Sequence, residues 1–221
     1  MHQLLQFDQD FFLALNGIHN SYWDVVMSIL TGKIYWVVLY LTIVWFIAKN
    51  FKLRIILIFL ILALAIVVSD QFSSFIKDTV QRYRPTHEPA IQNLVHFVKN
   101  KGGFYGFFSS HAANTFTVAM FTSLLFRNKR YSIMIFLWAS VVSYTRIYLG
   151  LHYPFDIFTG LAFGLLVGFG AYKFLGCFEK YFPILNKDRI KLSNPDFGYI
   201  FLVLIVMISV TLFVSKEIFE Y

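Results

Sequence analysis

The chain has 221 residues, of which 58% are hydrophobic and 14% charged, with a mean hydropathy of +0.64. Soluble domains contain roughly 45–50% apolar residues, so an ordinary soluble fold is excluded; 27 Phe, 13 Tyr and 4 Trp in long apolar runs exclude disorder as well. What remains is an all-α integral membrane protein: one domain over residues 1–221, a helical bundle of about six spans at roughly 20 residues each, with no separate soluble domain.

Residues 1–20 place Leu4, Phe7, Phe11 and Leu15 at helical spacing, with Asp8 and Asp10 expected to point elsewhere. This predicts a helix lying in the membrane interface, too polar to span. Neither a basic n-region nor an apolar h-region with a small-residue cleavage site opens the chain, so no cleaved signal peptide is expected. The first span is expected over Tyr22–Ala48, with Ile34–Ala48 its solid apolar part and Asp24, Thr31-Gly32 and Lys33 making its early part ambiguous. A basic connector around Lys49, Lys52 and Arg54 leads to a second span from Ile55 through Val68, continuing past Asp70 and Phe75 towards Lys77. Arg84-Pro85 is expected to end that helix, because proline lacks a backbone N–H and pushes its predecessor out of α geometry.

A loop of more than 20 residues follows, long enough to suggest function. Ser109-Ser110 is the expected N-cap of a third span running to Phe126. The fourth runs from Tyr131 to about Tyr148 and stops at Gly150; the fifth runs from Pro154 to Phe174, and the sixth from Phe197 to Val214. Cys177 is the only cysteine, so no intramolecular disulfide forms.

The net charge of +7 is distributed unevenly. With six spans, the connectors near residues 50, 128 and 185 share one side and hold 11 of the 19 basic residues: Lys49, Lys52, Arg54, Arg127, Lys129, Arg130, Lys173, Lys180, Lys187, Arg189 and Lys191. The positive-inside rule makes that side cytoplasmic, so both termini and the long loop are expected on the outer face of a cytoplasmic membrane. The charge thus reads as topology, and no nucleic-acid partner is expected.

On the outer side three segments converge: the end of the second span with Lys77 and Arg84, the start of the third with Ser109, Ser110 and His111, and the turn between the fourth and fifth with Arg146, His152 and Asp156. Ionisable groups at membrane depth are costly and face the bundle interior or a wet cavity. Three fixed cations around one point demand an anion, and phosphate matches best: arginine offers a planar fork, lysine a point charge, and the Ser110 and His111 amides lie at a helix N-terminus. His152 and Asp156, spaced i and i+4, share a helix face, so the carboxylate can hold the imidazole with its other nitrogen free as a nucleophile. His111 can protonate the leaving oxygen. No metal and no cofactor are expected, since the cations neutralise the charge and no carboxylate cluster of the magnesium type is visible.

At these residues the chain resembles the type 2 phosphatidic acid phosphatase superfamily, whose signature is Lys-x6-Arg-Pro, Pro-Ser-Gly-His and Ser-Arg-x5-His-x3-Asp. The first motif is complete as Lys77 to Arg84-Pro85; the second is Phe108-Ser109-Ser110-His111, with Phe for Pro and Ser for Gly; the third is Thr145-Arg146 to His152 and Asp156, with Thr for Ser. The resemblance implies that Lys77, Arg84, Ser109 and Arg146, with the Ser110 amide, hold the phosphoryl group. It also implies that His152 is a nucleophile forming a phosphohistidine, Asp156 its orienting partner and His111 the acid.

The expected function is therefore a metal-independent lipid phosphatase, acting on a phosphomonoester or on the terminal phosphate of a lipid pyrophosphate. Undecaprenyl pyrophosphate is favoured, because Arg82, Lys99 and Lys101 in the outer loop would hold a second phosphate; phosphatidylglycerol phosphate, phosphatidic acid and lipid A 1-phosphate are the other candidates. A protein that only binds anionic lipid needs no His111 beside a His152–Asp156 pair. A transporter should show inverted repeats or interrupted midplane helices, and neither is visible. A vanadate-dependent peroxidase would share the anion pocket, but its known relatives are large and soluble.

Overall fold

The computed structural model describes residues 2–51, 54–98, 101–182 and 197–220. Among them the elements are α1 (His2–Asn16), α2 (Ser21–Leu30), α3 (Val37–Phe51), α4 (Arg54–Val80), a 3-10 turn at Pro85–His87, α5 (Ser110–Phe126), α6 (Lys129–Tyr148), α7 (Pro154–Tyr181) and α8 (Gly198–Glu220). The all-α bundle is as expected. Helices α4, α7 and α8 are long and apolar enough to cross a membrane, and α3 is apolar but 15 residues long. Helix α5 is the centre of the bundle, packed on α4, α6 and α7, while α8 closes the far side against α2 and α3.

Contact between α5 and α7 is closest along Gly160, Gly164 and Gly168. A Cβ on Gly160 would lie 2.6 Å from the Ser109 carbonyl oxygen and one on Gly168 2.7 Å from that of Thr117, while one on Gly164 would strike the Ala113 carbonyl. Small residues repeating every fourth position let two helix backbones approach within a membrane, where lipid supplies no hydrophobic drive for association. That approach fixes the N-terminus of α5 against the N-terminus of α7. The Gly-x3-Gly-x3-Gly spacing escaped the sequence reading, and which helix it meets is decided by the tertiary structure.

Two expectations about the elements are corrected. The first span is broken: α2 ends at Leu30, the chain turns at Thr31-Gly32, and Trp36 Nε1 donates to the Leu30 carbonyl at 2.8 Å to fasten the turn. Helix α4 ends at Val80, four residues before Arg84-Pro85, because Gln81 takes a left-handed conformation (φ 52). The chain then runs extended, with Arg84 N donating to the Phe104 carbonyl and Gly106 N to that of Arg82, both at 2.9 Å. This short pairing claims the backbone that would otherwise have continued the helix.

Helix α1 forms where the sequence predicts a helix, with Asp8 turned away from Leu4, Phe7 and Phe11. Leu4, Phe7 and Phe11 are 63%, 58% and 38% exposed, whereas Asp8, Phe12 and Asn16 form the buried face. Asn16 Nδ2 donates to the carbonyls of His96, Ile147 and Tyr148, and its Oδ1 accepts from His96 N. Polar residues thus turn towards the protein because the loops they meet offer backbone groups that need partners. Four basic residues of the charge argument, Lys52, Lys187, Arg189 and Lys191, lie outside the described residues, as does Lys99 of the outer loop.

Candidate active site

The predicted residues converge at the end of the bundle where α4 stops and α5 and α7 begin. Ser109 is the N-cap of α5, buried, with its hydroxyl accepting from Ala112 N at 3.5 Å and its own N–H donating to the Asp156 carbonyl at 3.1 Å. This seats the first turn of α5, with Ser110 and His111, directly on the first turn of α7. Lys77, in the last turn of α4, donates to Ser110 Oγ at 2.6 Å and to Ser73 Oγ at 2.7 Å; Ser73 Oγ in turn donates to the Phe108 carbonyl at 3.0 Å. Ser73 escaped the sequence reading although it lies one turn before Lys77 on the same helix face.

His152 lies in the turn after Gly150, whose φ of +75 reverses the chain between α6 and α7. It is fully enclosed, with Nδ1 3.3 Å from Asp156 Oδ2 and Nε2 3.2 Å from Arg84 Nη1. A guanidinium only donates, so Nε2 is the acceptor and Nδ1 carries the proton towards Asp156. Burial, reinforced by Arg84, Arg146 and Lys77, pushes the His152 imidazole well below the ordinary histidine value, so the ring is neutral at pH 7. The neutral tautomer with its lone pair on Nε2 is the form a nucleophile needs.

Arg84 also donates to the Leu151 carbonyl at 3.0 Å, and Arg146 to Thr31 Oγ1 at 2.7 Å. The Nε groups of both arginines are buried and have no hydrogen-bond partner among the described residues. Buried donors of this kind in two cations fit an anion with several acceptor oxygens. Gly106 packs tightly beside them, since a Cβ there would lie 3.1 Å from Arg84 Cγ and 3.2 Å from Asp156 Oδ2.

His111 stands at the mouth of a chamber of about 510 Å³ between α3, α4, α5 and α6. Thr31, Lys33, Asp70, Ser110 and Asn114 share that polar end, and Tyr40, Ile43, Ile47, Phe59, Leu62 and Val118 carry an apolar wall towards the other end of the bundle. Asp70 accepts from Asn114 Nδ2 at 3.1 Å. His96 pairs with Asp24 at 2.8 Å and stacks on His19, and His87 meets the Gly102 carbonyl at 3.2 Å.

Arg82 departs from expectation. Its Nη1 donates to Asp156 Oδ1 at 3.0 Å and its Nη2 to Asp8 Oδ2 at 2.7 Å, so it is committed behind the site and does not serve a second phosphate. Two buried carboxylates claim it, and nothing local in the sequence of residues 1–16 announced the partner.

The profile of the PAP2 superfamily, the type 2 phosphatidic acid phosphatases, matches residues 55–178. The chain belongs to this superfamily. It is 42% identical to the lipid A 4'-phosphatase of Bacteroides thetaiotaomicron over 84% of this chain and 83% of that protein. It is 36% identical to the lipid A 4'-phosphatase of Porphyromonas gingivalis over 78% and 75% respectively. The undecaprenyl-diphosphatase BcrC of Bacillus subtilis is 24% identical over 85% of this chain and 98% of its own length. Among solved structures, Aquifex aeolicus LpxE shares the fold with a TM-score of 0.61 at 22% identity, covering 74% of this chain and 93% of that one. The protein is thus a PAP2 phosphatase of the membrane.

Proposed function

We propose that this PAP2 protein hydrolyses a phosphate monoester on an acylated saccharide lipid of the lipid A type, through a phosphohistidine on His152. The observation that carries the reading is His152 held between Asp156 and Arg84, with its lone pair on the side of the cations, while Ser110 and His111 line the polar end of an apolar chamber. The headgroup phosphate would meet Lys77, Arg84, Arg146 and the amides at the start of α5, with Ser109 fixing those amides, while an acyl chain occupies the chamber. The 42% and 36% identical relatives favour the saccharide lipid over undecaprenyl pyrophosphate, and so does the commitment of Arg82 to Asp156 and Asp8.

In the first step Nε2 of His152 forms a bond to phosphorus as the bond to the leaving oxygen breaks, and His111 gives that oxygen a proton. In the second, a water whose proton passes to His111 attacks phosphorus, the P–N bond breaks, and inorganic phosphate leaves with His152 neutral again. Arg84 exchanges its bond to Nε2 for the phosphate oxygens, and with Lys77 and Arg146 it stabilises the charge on the equatorial positions. The basic residues Lys49, Arg127, Lys129, Arg130, Lys173 and Lys180 belong to the opposite end of the bundle, which supports a cytoplasmic membrane with the site on its outer face.

Phosphate release by purified protein in detergent with EDTA tests the reading. The panel contains lipid A carrying 1- and 4'-phosphates, undecaprenyl pyrophosphate, phosphatidylglycerol phosphate and phosphatidic acid. Release from the 4'-position that persists in EDTA, and is lost in both His152→Ala and His111→Ala, is expected. A preference for undecaprenyl pyrophosphate would overturn the substrate, and equal rates in wild type and variants would overturn the mechanism.

A further inference from the structure

Behind His152, on the side away from the three cations, lies a second charged network that the mechanism above does not use. Asp156 is fully buried, and each of its oxygens is spoken for. Oδ2 accepts from Tyr153 N at 3.1 Å and faces His152 Nδ1; Oδ1 accepts from Arg82 Nη1 at 3.0 Å. The other arm of the same guanidinium reaches Asp8 Oδ2 at 2.7 Å, and Asp8 Oδ1 accepts from Phe155 N at 3.0 Å. Asp8 is also fully buried. The Arg82 guanidinium lies 4.0 Å from the centre of the Tyr153 ring, which leaves the fork little freedom to rotate.

We propose that Asp8 and Arg82 are positioning residues for the reaction, which makes the interfacial helix α1 part of the catalytic apparatus. Arg82 holds the Asp156 carboxylate in the one orientation that presents Oδ2 to the His152 ring, and Asp8 holds Arg82 while binding the Phe155 N–H in the first turn of α7. One guanidinium spanning two carboxylates cannot move without disturbing both, since its two arms leave in a fixed planar fork. Two carboxyl groups around one arginine also place acceptor oxygens behind Nδ1, opposite the cations that face Nε2. That polarity favours positive charge developing on the ring as Nε2 bonds to phosphorus. The exposed apolar Leu4, Phe7 and Phe11 of α1 suit a membrane interface, which would set the seat of this helix and the position of Asp8 together.

The proposal rests on the phosphohistidine reading, and the test separates the two. Wild type, Asp8→Asn, Arg82→Lys, Arg82→Gln, the Asp8→Asn/Arg82→Gln double variant and an exposed control, Asp10→Asn, are assayed as full-length proteins on the preferred lipid, with thermal melting recorded for each. Asp8→Asn and Arg82→Gln are expected to lower kcat by roughly 10–100-fold, the range for outer partners of active-site ligands, with KM nearly unchanged. Arg82→Lys should recover part of the loss, since a point charge can satisfy one carboxylate, and the double variant should be no worse than Arg82→Gln alone. A kcat equal to wild type in both single variants would overturn the proposal, as would a loss that disappears at temperatures where the variants are fully folded. A wild type inactive on every lipid would instead remove the phosphatase reading, and this proposal with it.

Discussion

Arg84 donates to Nε2 of His152 across 3.2 Å, so a cation of the site rests on the atom proposed to attack phosphorus. Under the proposed mechanism the arginine has two tasks, holding the lone pair on Nε2 before substrate arrives and taking phosphate oxygens afterwards. Arg84→Ala is expected to reduce kcat by about 10²–10³-fold, the cost of losing a donor aimed at transition-state charge. Arg84→Lys should recover little, because an ammonium lacks the fork that reaches His152, the Leu151 carbonyl and the phosphate. Steady-state phosphate release from both variants, with melting curves as a control, checks this.

The neutral state of His152 sets the pH response. The folded protein keeps this ring below the ordinary histidine value, chiefly through burial, so kcat/KM should show no acid limb from His152 at about pH 6.5, where an ordinary imidazole titrates. The stability effect follows the same sign. Below about pH 6.5 the unfolded chain binds a proton that folded His152 refuses, so this residue makes stability fall as pH falls through that range. Melting temperatures against pH should show that decline, and His152→Gln should flatten it.

The glycine stripe of α7 makes a contrast between two positions in one helix. Gly164→Ala puts a methyl group into the Ala113 backbone and is expected to cost about 1–3 kcal/mol through overpacking, together with a loss of kcat as the start of α5 moves from His152. Gly170 has open space where a Cβ would stand, so Gly170→Ala should be neutral or stabilising by up to about 1 kcal/mol. Thermal unfolding in one detergent, with kcat on the same samples, separates the two.

The chamber predicts a dependence on acyl chains. Ala63 lines it on α4, and Ala63→Phe would fill part of its apolar length. KM for the long-chain lipid should rise while hydrolysis of a short-chain, water-soluble phosphate ester is unchanged. Parallel loss on both substrates would mean that the chain of the substrate lies elsewhere.

Much of this protein could be read from residue order because the constraints were local. Apolar runs specify helices, Ser109 caps α5 with its own side chain, and the i, i+4 spacing of His152 and Asp156 places them on one turn of chain. The loop and helix-end positions of Lys77, Arg84, Ser110, His111 and Arg146 followed from the same rules, and the structure brings them to one end of the bundle. The break at Thr31-Gly32 and the early end of α4 at Gln81 were less legible. Both depend on what the following residues pair with, Trp36 on Leu30 and Arg84 on Phe104.

What the sequence determined by itself was the class of the molecule, its phosphatase family and the set of polar groups gathered at one end, since polarity in an apolar chain marks which side chains must find a partner. Which partner each finds was decided by the tertiary structure. The sequence points Asp8 away from the apolar face of its helix and gives Arg82 to a second phosphate; packing instead joins Asp8 to Asp156 through Arg82. A buried charge must be paired with whatever opposite charge the fold carries past it, and residues 8, 82 and 156 meet only because α1, the strand-like run after α4 and the first turn of α7 converge on one point.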